Sequence, residues 1–271
     1  MIGVFDSGIG GLSVLKALRA ELPHESFIYI ADSAHAPYGE RDEAHVIARS
    51  RAITAHLVSQ NIKALVIACN TATAAAIHLL RAEYPLLPII GVEPALKPAV
   101  ALSKTGHIAV MATRSTLASA KFQALLASQS GLASFTVQAC DGLAEAIERN
   151  ATASDATEII AIYNRTDWAR STFGTQKGQI DTLVLGCTHY PFAKPTLQQL
   201  LGPDVQIVDN GQAVARQTRR LMTAEPPGAD GAVALAEGQI KLFTTGPPHA
   251  LQAAAASWLG LVEPVNSLSY L

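Results

Sequence analysis

The sequence predicts an α/β protein in which two similar parallel-sheet domains face each other across a cleft. Three observations lead there. Short β-branched runs ending in small or polar residues alternate with longer stretches of helical period, the pattern of βα units feeding a parallel sheet. ALVIACNTAT at 64–73 and TLVLGCTHYP at 182–191 follow one pattern: a small or hydroxyl residue, Leu-Val, an aliphatic residue, a small residue and then Cys. Two of only three cysteines, Cys69 and Cys187, therefore stand 118 positions apart (187 minus 69) at the same place in two strand-then-helix units.

Strands are expected at IGVFD (2–6), FIYIA (27–31), ALVIA (64–68) and PIIGV (88–92), with helices over 11–22, 42–60 and 71–83 between them. Pro85, Pro88, Pro94 and Pro98 then punctuate the chain and place a domain boundary near Glu93 to Pro98. A second series begins with HIAVMA (107–112), FTVQAC (135–140) and TLVLG (182–186). VQIVD (205–209) and IKLFTT (240–245) follow, separated by a helix and by the loop AEPPGADGA (224–232). Periodicity leaves open whether these last two strands close the second sheet or return to the first.

At 271 residues the chain can bury one large core or two ordinary ones, and 49% apolar residues exclude a disordered chain. Lys plus Arg (20) nearly balance Asp plus Glu (22), and no basic run follows a phosphate backbone or an anionic membrane, so nucleic acid is not an expected partner. Cys69, Cys140 and Cys187 lack C-x-x-C spacing, and the histidines are scattered without H-E-x-x-H. Neither a disulfide framework nor a metal site is indicated, and a reducing cytoplasm fits. The start, MIGVFDSGIGGLSVLKAL, is not expected to act as a signal peptide: it lacks a charged n-region followed by a long apolar run and carries Asp6 where such a segment is most apolar. The longest apolar stretch (62–80) contains Cys69-Asn70-Thr71 and reads as strand then helix, so no transmembrane segment is expected.

Ligands of open α/β sheets gather at the carboxyl ends of strands, where the next helix offers free N–H groups to an anion. Asp6-Ser7, Cys69-Asn70-Thr71 and Cys187-Thr188-His189 all hold that position. A thiol there has its free pKa of about 8.5 lowered by the helix terminus, whereas a single Cys is commonly just a small buried hydrophobe. Two in equivalent places favour chemistry: paired thiols remove a proton from one face of a carbon and return one to the other, which is racemisation or epimerisation. Asp6 and His189 are then the groups that tune the two thiols. DSGIGG at 6–11 is a poor dinucleotide motif, because Ser13 stands at its third glycine position and Asp6 would repel a pyrophosphate, although Asp32 ends the next strand where a ribose-binding acid would lie. Tyr38-Gly39 either closes over a ligand at the same edge or forms a surface turn. Thr113 and Thr116 either bind a carboxylate or cap a helix. Cys140 is read as packing.

IGVFDSGIGGLSVL (2–15), DSAHAPYGER (32–41), ALVIACNTAT (64–73) and LVLGCTHYP (183–191), in that order, resemble the motifs of bacterial glutamate racemases within the aspartate/glutamate racemase superfamily. The resemblance runs from Met1 to about Asn210. It implies a first α/β domain of residues 1–95 plus 208–271 and a second of 96–207, with the site between them. It also implies cofactor-independent interconversion of L- and D-glutamate, with D-glutamate destined for peptidoglycan in the cytoplasm. Carried over by residue, Cys69 and Cys187 are the acid/base pair, Asp6 assists Cys69, and His189 assists Cys187. Asp6, Ser7, Tyr38, Gly39, Asn70, Thr71, Thr116, Thr188 and His189 are the substrate contacts. An auxiliary carboxylate falls on Glu148 in CDGLAEAIE (140–148), where Asp141 and Glu145 replace two family prolines and Glu145 competes for the role. Phe122 stands where the family often has Tyr.

The resemblance leaves a homodimer open and names no residue for a second activity such as gyrase binding. The chain begins at its first strand, so control through an N-terminal extension is not expected. The alternatives are a racemase of aspartate or another acidic amino acid, and a non-catalytic binding module on the same fold.

Overall fold

A computed structural model describes residues 1–150, 160, 172–223 and 238–268. The chain forms two compact units, Met1–Val92 with Gly211–Leu271, and Glu93–Asn210.

The first unit is built on six parallel strands: β1 (Ile2–Asp6), β2 (Phe27–Ala31), β3 (Ala64–Ile67), β4 (Ile89–Gly91), β9 (Ile240–Thr244) and β10 (Val265–Ser267). Their order is β10-β9-β2-β1-β3-β4. β1, β2 and β3 are buried throughout, which is why they read as continuous apolar runs rather than alternating ones. Right-handed crossovers place α1 (Leu12–Glu21) on one face and α2 (Glu43–Ser59) and α3 (Asn70–Glu83) on the other. The packing agrees: α2 lies against α3, and α1 lies against α9 (Gly211–Thr223).

α2 starts at Asp42, whose side chain accepts from the His45 amide, and buries Val46, Ser50, Ile53, Thr54 and Leu57 on one stripe. Thr54 Oγ1 is buried there without a hydrogen-bond partner among the described residues. Thr54→Val keeps the shape and removes an unsatisfied polar atom, so it should stabilise the protein by about 1 kcal/mol. A denaturant midpoint that moves upward at constant slope checks it.

The second unit carries four parallel strands, β5 (His107–Ala112), β6 (Ser134–Ala139), β7 (Thr182–Leu185) and β8 (Gln206–Val208), in the order β6-β5-β7-β8. Its described helices are α4 (Leu96–Leu102), α5 (Arg114–Ala118), α6 (Ala120–Gln129), α7 (Leu143–Asn150) and α8 (Lys194–Leu201). Phe122 packs with Leu96, Ile108, Val110 and Val184 in this unit's core.

The two strands that periodicity left open go different ways: β8 pairs with β7, whereas β9 pairs with β2 in the first sheet. β10 and α10 (Pro248–Leu259) complete the return and lie beyond the elements legible in the sequence. β10 is only three residues, VNS, and takes its register from β9. The loop 224–232 lies outside the described residues. Among the described residues no helix is long and apolar enough to cross a membrane.

Candidate active site

Among the described strands each unit has a topological switch point, where successive connections leave in opposite directions and strand ends characteristically open a crevice. In the first it lies between β1 and β3, in the second between β5 and β7. Asp6-Ser7 and Cys69-Asn70-Thr71 occupy the first pair of strand ends; Thr113 to Thr116 and Cys187-Thr188-His189 occupy the second. Ile67 pairs with Phe5 and Leu185 pairs with Met111, so each cysteine stands two residues beyond the last paired residue of its strand. The sequence repeat is thus a repeat of position within each unit.

At the first switch point Asp6 is fully buried. Its Oδ2 accepts from the Gly11 amide at 2.6 Å, and its Oδ1 faces the Ser7 hydroxyl at 3.4 Å. Ser7 Oγ in turn accepts from Cys69 Sγ at 3.9 Å, so the serine stands between carboxylate and thiol. The glycines of DSGIGG serve this acid rather than a phosphate. A Cβ on residue 11 would meet Asp6 Cβ at 2.6 Å, and Tyr29 holds the loop by donating to the Gly8 carbonyl at 2.7 Å.

Cys69 is the N-cap of α3 and accepts from the Ala72 amide at 3.5 Å, a contact that a thiolate takes more strongly than a thiol. Asn70 is buried beside it, and among the described residues neither its Oδ1 nor its Nδ2 has a hydrogen-bond partner. Thr71 is buried in the same turn. Tyr38 and Gly39 lie in a short 3-10 turn, Tyr38–Glu40. It is no surface turn, because Tyr38 is buried in the cluster that contains Cys69. Its hydroxyl donates to Asp32 Oδ2 at 2.6 Å, so the side chain is committed to the protein and the turn's amides are what remain for a ligand.

The second switch point is built differently. Cys187 was expected to precede a helix, but after it come a turn and a 3-10 segment, Tyr190–Ala193, and α8 begins only at Lys194. Among the described residues no helix begins at this cysteine. Its neighbour is His189, whose Nδ1 lies 3.6 Å from Cys187 Sγ while Nε2 lies 2.8 Å from Glu148 Oε1 on α7. Burial opposes charge on this imidazole, but hydrogen bonds and attraction from Cys187 and Glu148 outweigh it and raise its pKa well above the ordinary value. Glu145 instead pairs with Arg149 at 2.7 Å on the exposed side of α7. Thr188 is buried between Cys187 and His189 in the chain.

Thr113 caps α5: its Oγ1 accepts from the Thr116 amide at 3.3 Å and donates to Thr116 Oγ1 at 2.9 Å. Thr116 itself is buried. Cys140 is buried, donates through Sγ to the Gln138 carbonyl, and offers its own carbonyl to Tyr190 Oη at 3.3 Å. Tyr190 is a neighbour that the sequence did not single out. Burial and the adjacent Cys187 keep its phenol protonated, and it ties the segment after β7 to the end of β6. Among the described residues no group of three or more His, Cys, Asp or Glu could hold a metal ion.

Residues 10–218 match the Asp/Glu/hydantoin racemase family. The chain is 50% identical over 222 residues to the glutamate racemase of Ectopseudomonas mendocina, covering 82% of this chain and 81% of that protein. It is 42% identical over 267 residues to the glutamate racemase of Pseudomonas aeruginosa, covering 98% and 97%. The crystal structure of Escherichia coli glutamate racemase in complex with L-glutamate and the activator UDP-MurNAc-ala superposes with a TM-score of 0.84 at 31% identity, over 98% of this chain and 97% of that one. With two switch-point cysteines and a family match across most of its length, the chain belongs to the Asp/Glu/hydantoin racemase family.

Proposed function

We propose that this protein is a cofactor-independent glutamate racemase in which Cys69 and Cys187 are the two acid/base groups. One observation carries the reading: each unit has a cysteine at the equivalent strand end of its switch point, and each thiol has its own polar neighbour backed by a carboxylate. The relatives named glutamate racemase support glutamate as the substrate.

The reaction runs in two proton transfers. One thiolate takes the Cα proton, leaving the electron pair on Cα and, by delocalisation, on the α-carboxylate; the other thiol then gives its proton to the opposite face. The product is the mirror-image amino acid, and the two sulfurs have exchanged protonation states. The reading requires both thiols to reach opposite faces of one Cα. Ser7 and Asp6 hold the Cys69 side, and His189 with Glu148 holds the Cys187 side. Asn70, Thr71 and Thr188 hold the α-carboxylate, where hydrogen bonds to the developing dianion offset the weak acidity of Cα–H, and the amides of Tyr38 and Gly39 hold the side-chain carboxylate, whose charge does not change in the reaction. Thr116 belongs to the same substrate set through its place in α5, the first helix after β5. The product D-glutamate feeds peptidoglycan synthesis in the cytoplasm, a compartment that suits three free cysteines.

The test is incubation of the purified protein in deuterium oxide, without added cofactor, with L-glutamate and separately with D-glutamate. Inversion accompanied by Cα deuterium in the product is expected from both directions. Inversion of aspartate at a higher kcat/KM than glutamate would replace the substrate, and no inversion of either would leave a binding role.

A further inference from the structure

Asp32 lies at the end of β2, fully buried, and takes no part in the proton transfers. Four side-chain hydrogen bonds from three residues converge on it. Arg49 donates through Nε to Oδ2 at 2.9 Å and through Nη2 to Oδ1 at 2.8 Å, Tyr38 Oη donates to Oδ2 at 2.6 Å, and Thr245 Oγ1 donates to Oδ1 at 2.8 Å. Burial disfavours the charge, but these donors outweigh it and hold the carboxyl below its ordinary range. Burial, with the negative Asp32 beside it, pushes the Tyr38 phenol far above its ordinary value, so that it remains a donor.

The placement of this hub is specific. Its backbone amide donates to the Asp6 carbonyl at 2.9 Å, so it abuts the acid behind Ser7 and Cys69. Thr245 reaches it from just beyond β9 and also accepts from the Ala34 amide at 3.2 Å, within the loop that leads to Tyr38. The amides of Tyr38 and Gly39, first in their 3-10 turn, donate to no protein acceptor among the described residues, as the first donors of any helical turn do. A buried ion pair by itself adds little stability relative to an apolar filling. It does fix geometry, and here it fixes the turn that carries these two amides.

We propose that Asp32, with Arg49 and Thr245, is a positioning cluster that locks the Tyr38–Gly39 turn so that its two amides meet a carboxylate of the amino-acid substrate. This rests on the racemase reading and adds that the returning C-terminal strand supplies part of the substrate site. None of the three residues touches the reacting atoms. Their removal therefore weakens binding equally in ground and transition states, which appears in KM and not in kcat.

Thr245→Val and Tyr38→Phe each remove one donor and leave the Asp32–Arg49 pair intact, so the folded protein survives for measurement. Each should raise KM for both enantiomers by about tenfold, with kcat changed by less than about threefold. Thr245→Ser should restore the wild-type KM. Glutamate affinity measured by calorimetry should weaken by the same factor as KM. A lowered melting temperature with unchanged glutamate affinity in Thr245→Val would overturn the positioning role and leave a structural one. So would a fall in kcat at constant KM. Wild-type protein that binds glutamate without inverting it refutes the racemase reading alone, since the affinities of the variants still decide this one.

Discussion

Cys69→Ser and Cys187→Ser should each reduce racemisation by about a thousandfold or more, because each removes one of two proton-transfer groups that act in series. Serine nearly matches cysteine in size, and both positions are buried, so circular dichroism and melting temperature should stay close to wild type. The informative readout is the half-reaction that remains. A variant that keeps one thiol can still remove and return the Cα proton on the face which that thiol meets. Each variant should therefore exchange Cα hydrogen for deuterium in one enantiomer without inverting it, and the two variants should select opposite enantiomers. Racemisation at the wild-type rate in either would sink the two-thiol scheme, and exchange of the same enantiomer by both would show that the thiols share one face.

Glu148→Gln should lower kcat by about ten- to a hundredfold and move the basic limb of its pH profile toward acid. Glu148 and Cys187 both raise the His189 pKa, so loss of the carboxylate lets the imidazolium deprotonate at lower pH. The linkage has a definite sign. The folded value is raised, so the stability tied to this proton is complete below the unfolded value of about 6.5 and is lost as pH rises through the folded value. Wild type should lose more unfolding free energy across that window than Glu148→Gln does. Glu145→Gln is the control: its partner Arg149 lies on the exposed side of α7, and kcat should change by less than about twofold. Equal losses from both substitutions would remove Glu148 from its role beside His189.

The choice of auxiliary carboxylate was not open to a closer reading of the chain. Glu145 and Glu148 lie three positions apart on α7, and the buried Leu143, Ala146 and Ile147 phase that helix. At about 100° per residue Glu145 and Glu148 both fall about 150° from the centre of that stripe, so helical phasing does not choose between them; the choice is made by His189, which meets Glu148 and not Glu145. The Cys187 side was harder. GCTHYP places Pro191 where a helix can begin, but proline at that point also suits the 3-10 segment that forms, and α8 starts at Lys194. Copying the Cys69 pattern onto Cys187 therefore predicted a helix terminus where the structure has a histidine.

The sequence by itself determined the strands β1 to β7, the alternation that makes both sheets parallel, the place of each cysteine beyond a strand, and the family. These are local properties: a strand buried on both faces must be apolar throughout, and a strand end followed by polar residues marks the edge where ligands bind. Only the tertiary structure decided that β8 joins the second sheet while β9 and β10 return to the first. It alone put Ser7 between Asp6 and Cys69, and brought Thr245 to Asp32 across 213 positions of chain. Periodicity records which face of an element is buried, but carries no record of the partner that buries it. That choice is made by register, crossover hand and the need of a buried carboxylate for donors, all of which exist only once the chain has closed on itself.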